Sequence, residues 1–522
     1  MRYDTRDLSF ARLGTIIAGT FAVLLILYIV FVWVIPAPIT HPFALTVWAH
    51  WPGWTLFGFA VICTILGVYR YSEQDRFGLW LPLAILFTVM WIVGGIFGSF
   101  WKQQSFLANT QIEHLSEEPE TTGYRFLPME VATTTATNKT TDSQVTPGQV
   151  EPLVTGNTAT WVVPEEPNNF WTTYTGGQPG YLHINTTANT TRETTEYTPG
   201  FGICCFDGRS MGWTSVNRHY WADISPERYM TLLNGEMVIV QPYLTYYLDW
   251  KYLIPFMVKQ YGGVLIFHAD GTHEDLTPEE AAETYPDGRF YPHEMAEYFA
   301  DSYQLQNGIW NYLFTHRDQP DVPKLGADDS GKHNQFPFLI PTDQGAEWYT
   351  AVEPYGASKS AYMSYYINAT TGTVRVYKFT EPLVGPDQAE SFVNNAFPEL
   401  KNTSFYEPRP LVKNDDLYWM LSATASGSPD VQFTALVDAY SEDVIQLNNM
   451  QEVERVVSGE DPRRVGKVVG SSGTPSQEQS AASDGGNVGR GTTDPADGSN
   501  LSDEELVELL REAADRLEKQ GQ

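Results

Sequence analysis

The sequence predicts a three-helix transmembrane bundle followed by a large α+β, β-rich domain with antiparallel sheets, a disordered linker and a terminal amphipathic helix. Three observations carry that prediction. Long uncharged runs are confined to the first 101 of 522 residues. From about Thr160 to Glu454 the chain is dense in Trp, Tyr and Phe, shows β-branched alternation and is broken by Gly and Pro, as strands and turns require. Ser458 to Asn500 then loses its aromatics altogether.

The anchor comes first. Leu13 to Ile35 is 23 residues without a charge, which at about 1.5 Å per residue exceeds the roughly 30 Å hydrocarbon core. Pro36 stops it. A second run ends at Tyr69 and starts near Phe43 or Pro52, with Trp48, His50, Trp51 and Trp54 as an interfacial belt. His50 and these tryptophans also fit a pathway or cofactor within the membrane, but an interfacial place explains them more simply. The third run is Phe77 to Trp101, where Gly94 and Gly98 allow close approach of a neighbouring helix. The expected spans are therefore 13–35, 43–69 and 77–101. The first is too long for a cleaved signal peptide.

Charge sets the orientation. Residues 1–101 hold Arg2, Arg6, Arg12, Arg70 and Arg76 against four acids, whereas the chain as a whole is at −31. The basic residues lie before the first run or between the second and third, so the N-terminus is expected in the cytoplasm. Three spans then place everything after Trp101 outside the cell, as an extracytoplasmic domain of a multi-pass membrane protein. Six sequons agree: Asn138, Asn185, Asn189, Asn368, Asn402 and Asn500 each begin Asn-X-Ser/Thr and are glycosylation candidates. The acid-rich, Lys-poor soluble part excludes nucleic acid as a partner and disfavours anionic lipid for that part. In composition it resembles proteins of salt-loving archaea, whose surface carboxylates stay hydrated while salt screens their repulsion.

Residues 102–159 are expected to form a stalk, with a short helix after Gln103, and a Thr-rich mobile loop at Ala132 to Asp142. The β-rich region spans 160–380 and 381–457. In Gly262 to Leu276, Asp270-Gly271 is a two-residue hairpin turn. Trp348 to Phe379 and Leu417 to Leu447 carry strand signals, and a helix beginning at Pro386 lies between them. Trp348 precedes Asn368 by 20 positions and Trp419 precedes Asp438 by 19, and Val374 and Val444 follow six later. These read as two copies of one meander with Asn or Asp at a turn.

The run Ile367 to Tyr377, with Asn368, Thr371, Gly372 and Val374, resembles the strand-turn-strand signature of PepSY-type domains. Asn368 stands where that family has Asp, and the later copy keeps Asp438 and Val444 without Thr-Gly. The resemblance implies small helix-plus-sheet modules outside the membrane with regulatory, inhibitory or assembly roles, and carries over no catalytic residue.

The stretch 458–500 cannot bury enough apolar surface to offset ordering entropy and is expected to be disordered. Residues 501–522 form an amphipathic helix, with Ser502 and Glu505 as a capping box and Leu506, Leu509, Leu510, Ala513 and Leu517 on one face. Its stripe either docks on a partner or second copy, or folds back on its own domain.

No catalytic set emerges. His293-Glu294 opens a near match to the zinc-protease pattern, but residue 297 is Glu instead of His. His268 and His273 flank Asp270-Gly271 and form a candidate metal pair with Asp275, or are ordinary strand residues. Cys204 and Cys205 are a vicinal disulfide, a soft-metal pair with His183 or His219, or two small buried side chains. There is no GxSxG and no phosphate loop. The expectation is a non-enzymatic membrane-anchored interaction or assembly protein of the cell envelope, without cofactor. Its partners are the lipid bilayer and a protein, or a second copy, held through the spans or the C-terminal helix. The alternatives are a metal-dependent extracytoplasmic hydrolase using His268, His273, His293 and Glu294, and an accessory subunit of a membrane complex.

Overall fold

The computed structural model describes residues 37–470, apart from 75, 141–144, 157, 169–179, 185–191, 197–210, 324, 326–335, 401 and 426–429. Before residue 37 it describes Gly19, Ala22, Val23, Ile26 and Ile29, all helical and exposed. The expected span 13–35 otherwise lies outside the described residues, as do Cys204, Cys205, Asn185, Asn189, Asn500 and the helix at 501–522.

Two apolar helices lead the described chain: α1, Ala37–Gln74, and α2, Trp80–Asn109. Both are long and apolar enough to cross a membrane, and their apolar side chains between Phe43 and Ile96 are widely exposed. Such surface is consistent with a membrane anchor. Helix α1 begins before the expected 43, because Pro42 and Pro52 lie inside it and do not end it. A helix satisfies its backbone within its own segment, and long apolar helices tolerate proline where neighbouring groups re-satisfy the freed carbonyl. At 38 residues it is about 57 Å long, more than the roughly 30 Å of a hydrocarbon core. Helix α2 runs past the expected end at 101 and absorbs the start of the stalk.

After β1, Ile112–Leu115, one order of elements occurs four times among the described residues: a helix, then an antiparallel four-strand meander. The first unit has α3 (Met129–Lys139), β2 (Val145–Pro147), β3 (Glu151–Thr155), β4 (Thr158–Pro167), β5 (Gly180–Ile184) and β6 (Arg192–Glu196). The second has α4 (Met211–Arg218), β7 (Asp223–Ile224), β8 (Tyr229–Leu233), β9 (Glu236–Lys251), β10 (Ile254–Phe267) and β11 (His273–Leu276), followed by α5 (Pro278–Thr284). The third has α6 (His293–Tyr303), β12 (Pro320–Asp321), β13 (Phe338–Thr342), β14 (Gly345–Pro354), β15 (Ser360–Asn368) and β16 (Val374–Val384). The fourth has α7 (Pro386–Ala396), β17 (Thr403–Lys413), β18 (Asp416–Ala425), β19 (Val431–Asp438) and β20 (Val444–Leu447). It is followed by α8 (Met450–Val457), α9 (Pro462–Val465) and β21 (Lys467–Gly470). Short strands β2, β7 and β12 each share an edge with the first meander strand.

One tryptophan sits at the same place in three units. Trp161, Trp348 and Trp419 lie on the second meander strand, at most 2 % exposed. Their indole N–H groups donate to Leu127 O (2.9 Å), Tyr291 O (3.0 Å) and Val384 O (2.7 Å), carbonyls just before the unit's helix. A large ring whose one polar atom is satisfied thus ties helix to sheet. In the second unit Ile239 occupies that register. The units also interlock. The Tyr349 face of the third meets the Trp419 face of the fourth, and the Met420 face of the fourth meets the Trp161 face of the first. The Val162 face of the first meets the Ile239 face of the second, and Leu244 and Val258 of the second reach the Trp348 face of the third.

The halves repeat at a finer level. Arg125-Phe126-Leu127-Pro128 precedes α3 and Arg289-Phe290-Tyr291-Pro292 precedes α6. Each guanidinium lies over its unit's tryptophan, at 4.2 Å for Arg125 on Trp161 and 4.9 Å for Arg289 on Trp348. Each helix start is capped from a neighbouring unit: Met129 N donates to Glu407 Oε1 (2.7 Å) and His293 N to Glu227 Oε2 (3.0 Å). A carboxylate there opposes the positive end of the helix.

Several expectations are corrected. The Thr-rich segment forms α3 instead of a loop, because Val131, Ala132 and Ala136 are buried on one face while Thr133 and Thr137 donate to carbonyls one turn back. The boundary at 159/160 falls inside β4 and that at 380/381 inside β16. Part of the expected disordered stretch is ordered: α9 and β21 extend the fold to Gly470, with β21 pairing β20. The link at Asp270-Gly271 is a five-residue loop, closed by His268 N donating to Thr272 O (3.0 Å), with Gly271 at φ +87°.

Candidate functional site

The junction between the apolar helices and the β-rich domain is where the fold concentrates its departures from the repeated plan. Helix α2 reaches β1 within two residues, and β1 pairs in parallel with β16, Ile112 opposite Val374. The end of α2 is built into the domain. Phe106, 7 % exposed, meets Tyr298 of α6 with ring centres 4.9 Å apart. Ser105 Oγ donates to Asp249, and Asn109 Nδ2 to Tyr247 OH (3.0 Å). At the start of α1, His41 Nε2 contacts Ala222 O at 2.9 Å, and Tyr220 OH donates to Thr40 Oγ1 (2.8 Å).

The β9–β10 hairpin makes most of this contact. It turns at Tyr252 and Leu253, both at positive φ, and runs beside α2 until Ile254 reaches Gly94, where an added Cβ would lie 3.1 Å from the Ile254 side chain. Trp250, Tyr252 and Leu253 at the tip are 58–81 % exposed. A second apolar tip, the π-helical turn Asn311–Thr315, places Tyr312 against Phe100 (5.7 Å) and leaves Trp310 and Phe314 exposed.

Between α1, α2 and β10 lies a cleft of about 530 Å³. Trp54, Leu56, Trp91, Ile254, Phe256 and Met257 supply apolar walls, and Thr46, His50, Ser99 and Lys102 the polar groups. Its size falls in the range of roughly 300–1,000 Å³ usual for small-molecule sites. Gly94, Gly95 and Gly98 also line it, and beside Gly95 and Gly98 an added Cβ would meet nothing within 4 Å.

The candidate metal residues do not converge. His268 contacts Glu274 (3.0 Å) and Glu236 (3.3 Å), whereas His273 lies beside Phe267, its cross-strand partner (ring centres 6.0 Å). Adjacent strand residues 273 and 274 point to opposite faces, so the two imidazoles do not share a site. Asp275 instead binds His219 (3.0 Å), which stacks on Tyr243 at 3.7 Å, and a pairing across 56 positions leaves no local sequence signal. His293 belongs to a different constellation, with Glu227 at 3.7 Å and Glu297 at 3.6 Å. Burial opposes its charge, yet these carboxylates hold its pKa above the ordinary value. Burial likewise opposes the Glu227 charge, and the His293 hydrogen bonds outweigh it, so that Glu227 titrates low. Glu294 sits 3.9 Å from Lys259, with its pKa raised by burial. Among the described residues no group of three His, Cys, Asp or Glu is arranged to hold a metal.

Of the sequons, Asn138 in α3 and Asn402 are exposed, whereas Asn368 is half-buried and its Oδ1 accepts from Thr370 N (3.0 Å) and Thr371 N (2.9 Å). Compared with known proteins, the chain matches no family model, no curated protein and no solved structure.

Proposed function

We propose that this is a membrane-anchored interaction or assembly protein of the cell envelope, without catalytic activity, whose PepSY-like units are held outside the cell on multi-pass helices. The observation that carries the reading is the continuity of α2 with the core of the domain. Phe106, Ser105 and Asn109 are packed and hydrogen-bonded into the second and third units, so a partner bound by the domain is held at a fixed position above the bilayer. The repeated helix-and-meander plan supports the PepSY-like reading, and Arg70 and Arg76 between α1 and α2 support a cytoplasmic place for that turn. The C-terminal segment 501–522, whose sequence is expected to form an amphipathic helix, then serves as a docking element.

Extraction of the full chain in mild detergent, followed by size-exclusion chromatography, tests this. We expect the chain to elute with a stoichiometric protein partner or as a defined oligomer. Elution as a lone monomer would remove the assembly reading. Protease protection of a C-terminal tag in sealed vesicles tests the orientation.

A further inference from the structure

We infer that the cleft between α1, α2 and the β9–β10 hairpin is a binding site for one anionic membrane lipid, its apolar chain lying along the glycine floor and its headgroup phosphate at Lys102. This rests on the reading of α1 and α2 as membrane spans.

Four observations converge. The cleft continues the exposed apolar faces of α1 and α2, so a lipid chain enters it without crossing water. Its floor at Gly95 and Gly98 is bare backbone with open space above it, room that a flexible hydrocarbon fills. Polar groups accompany these apolar walls: Lys102 and Ser99 from the domain end of α2, and Thr46 and His50 from α1. Finally, the charge there is opposite to the rest of the molecule. In a chain at −31 with twelve lysines, Lys102 lines the cleft and Lys251 stands at the hairpin tip, its Nζ 5.8 Å from the Tyr252 ring. Tyr252 in turn lies beside Trp101, 6.1 Å between ring centres. Lysines placed so extend their ammonium groups toward phosphate while their stems rest on apolar surface.

Composition alone argues against anionic lipid for an acidic protein, but screening confines that argument to distances of about 10 Å at moderate salt, and among the side chains that line the cleft Lys102 is the one that carries a full charge, with Asp249, bound to Ser105, on the hairpin beside it. A protein partner inserting an apolar segment would not require this charge.

The test is native mass spectrometry of the full chain in detergent with equimolar phosphatidylglycerol and phosphatidylcholine. The wild type is expected to retain one phosphatidylglycerol with at least about fivefold preference. Lys102→Gln should abolish the preference while leaving some lipid bound. Gly98→Leu should abolish binding of both lipids; a Cβ at 98 meets nothing within 4 Å, and an unfolding midpoint equal to the wild type's is the criterion that the variant is correctly folded. Equal binding of both lipids by the wild type, or unchanged binding in correctly folded Gly98→Leu, would overturn the site. A chain that purifies without detergent would instead overturn the membrane reading itself.

Discussion

The half of the domain from Tyr124 to Thr284 and the half from Arg289 to Val457 follow one plan, and differ most between the second unit and the fourth. In the fourth, Trp419 ties helix to sheet and the two central strands are 10 and 8 residues long. In the second, Ile239 replaces the tryptophan and the corresponding strands, β9 and β10, extend to 16 and 14 residues. The extension has no role in the unit's own core. It is the part that runs along α2 and walls the cleft. The second unit thus breaks the repeated pattern where it packs against the apolar helices.

The largest expected effect separates the two helix-capping sites, before α3 and before α6, by charge burial. Glu407 and Arg125 are each 3 % exposed and 3.0 Å apart, with Arg409 a further 3.9 Å away. Burial lowers the Arg409 pKa to about 9, and Glu407 is the charge that opposes the fall. Glu407→Gln leaves two buried guanidinium groups without a counter-ion and should cost about 3–5 kcal/mol. At the equivalent site before α6, Arg289 has Glu151 at 3.1 Å, and Glu227, at 21 % exposure, mainly serves His293. Glu227→Gln should cost about 1 kcal/mol. Chemical denaturation of the detergent-solubilised chain measures both, and equal losses would break the comparison.

Next in size is a pH effect confined to the second half. Glu118, just after β1, is buried against the third unit, accepting from Tyr366 OH (2.8 Å) and Ser364 Oγ (3.3 Å). Burial lifts its pKa from 4.5 to about 7, with those hydrogen bonds opposing the rise. The folded state therefore holds this proton more tightly than the unfolded chain. Stability from this group is fully present below pH 4.5 and is lost as pH rises to about 7. At about 1.4 kcal/mol per pKa unit the loss is on the order of 3 kcal/mol. Glu118→Gln should flatten that part of the stability profile, and an unchanged slope between pH 5 and about 7 would show that the charge is accommodated.

The tryptophans come third. Trp348→Phe and Trp419→Phe keep an aromatic ring but leave Tyr291 O and Val384 O without their donors. Each should lose about 1–2 kcal/mol by denaturation. Ile239, which donates to no such carbonyl, should tolerate Ile239→Val at about 1 kcal/mol.

What the sequence disclosed follows from how local each signal is. The two apolar helices α1 and α2 were legible because each contains a long uncharged run, although Pro42 and Pro52 hid the start of α1. The paired meanders were legible from the spacing of Trp348 and Asn368 against Trp419 and Asp438. The first unit was missed because its Thr-rich helix reads as low complexity, and the second because Ile239 and His268 stand where the others have Trp and Asn or Asp. Arg125-Phe126 and Arg289-Phe290, each two residues before a proline, were a readable signal of the repeat. The cleft was not readable at all: its walls come from residues 46–56, 91–102 and 254–257, and no local pattern links them.

The smallest expected effect lies in the turns that close the third and fourth meanders. Asn368 and Asp438 hold them alike: Thr370 N and Thr371 N donate to Asn368 Oδ1, Tyr440 N and Ser441 N to Asp438 Oδ1. Gly372 N and Glu442 N then donate to the carbonyls of Asn368 and Asp438. Both turns need a left-handed residue at that step. The third unit supplies Gly372 at φ +75°, and the fourth forces Glu442 to φ +63°. A side chain in that region costs about 1 kcal/mol, part of which glycine returns through the greater freedom of the unfolded chain. Glu442→Gly should therefore stabilise by about 0.5 kcal/mol. The reverse exchange is not symmetric, since a Cβ on Gly372 would come within 2.3 Å of the Tyr291 ring. Gly372→Ala must displace that ring from the segment that receives the Trp348 hydrogen bond. A gain at 442 with a loss at 372 would show one turn read with two degrees of strain, whereas losses at both would mean that Glu442 contributes more than its backbone.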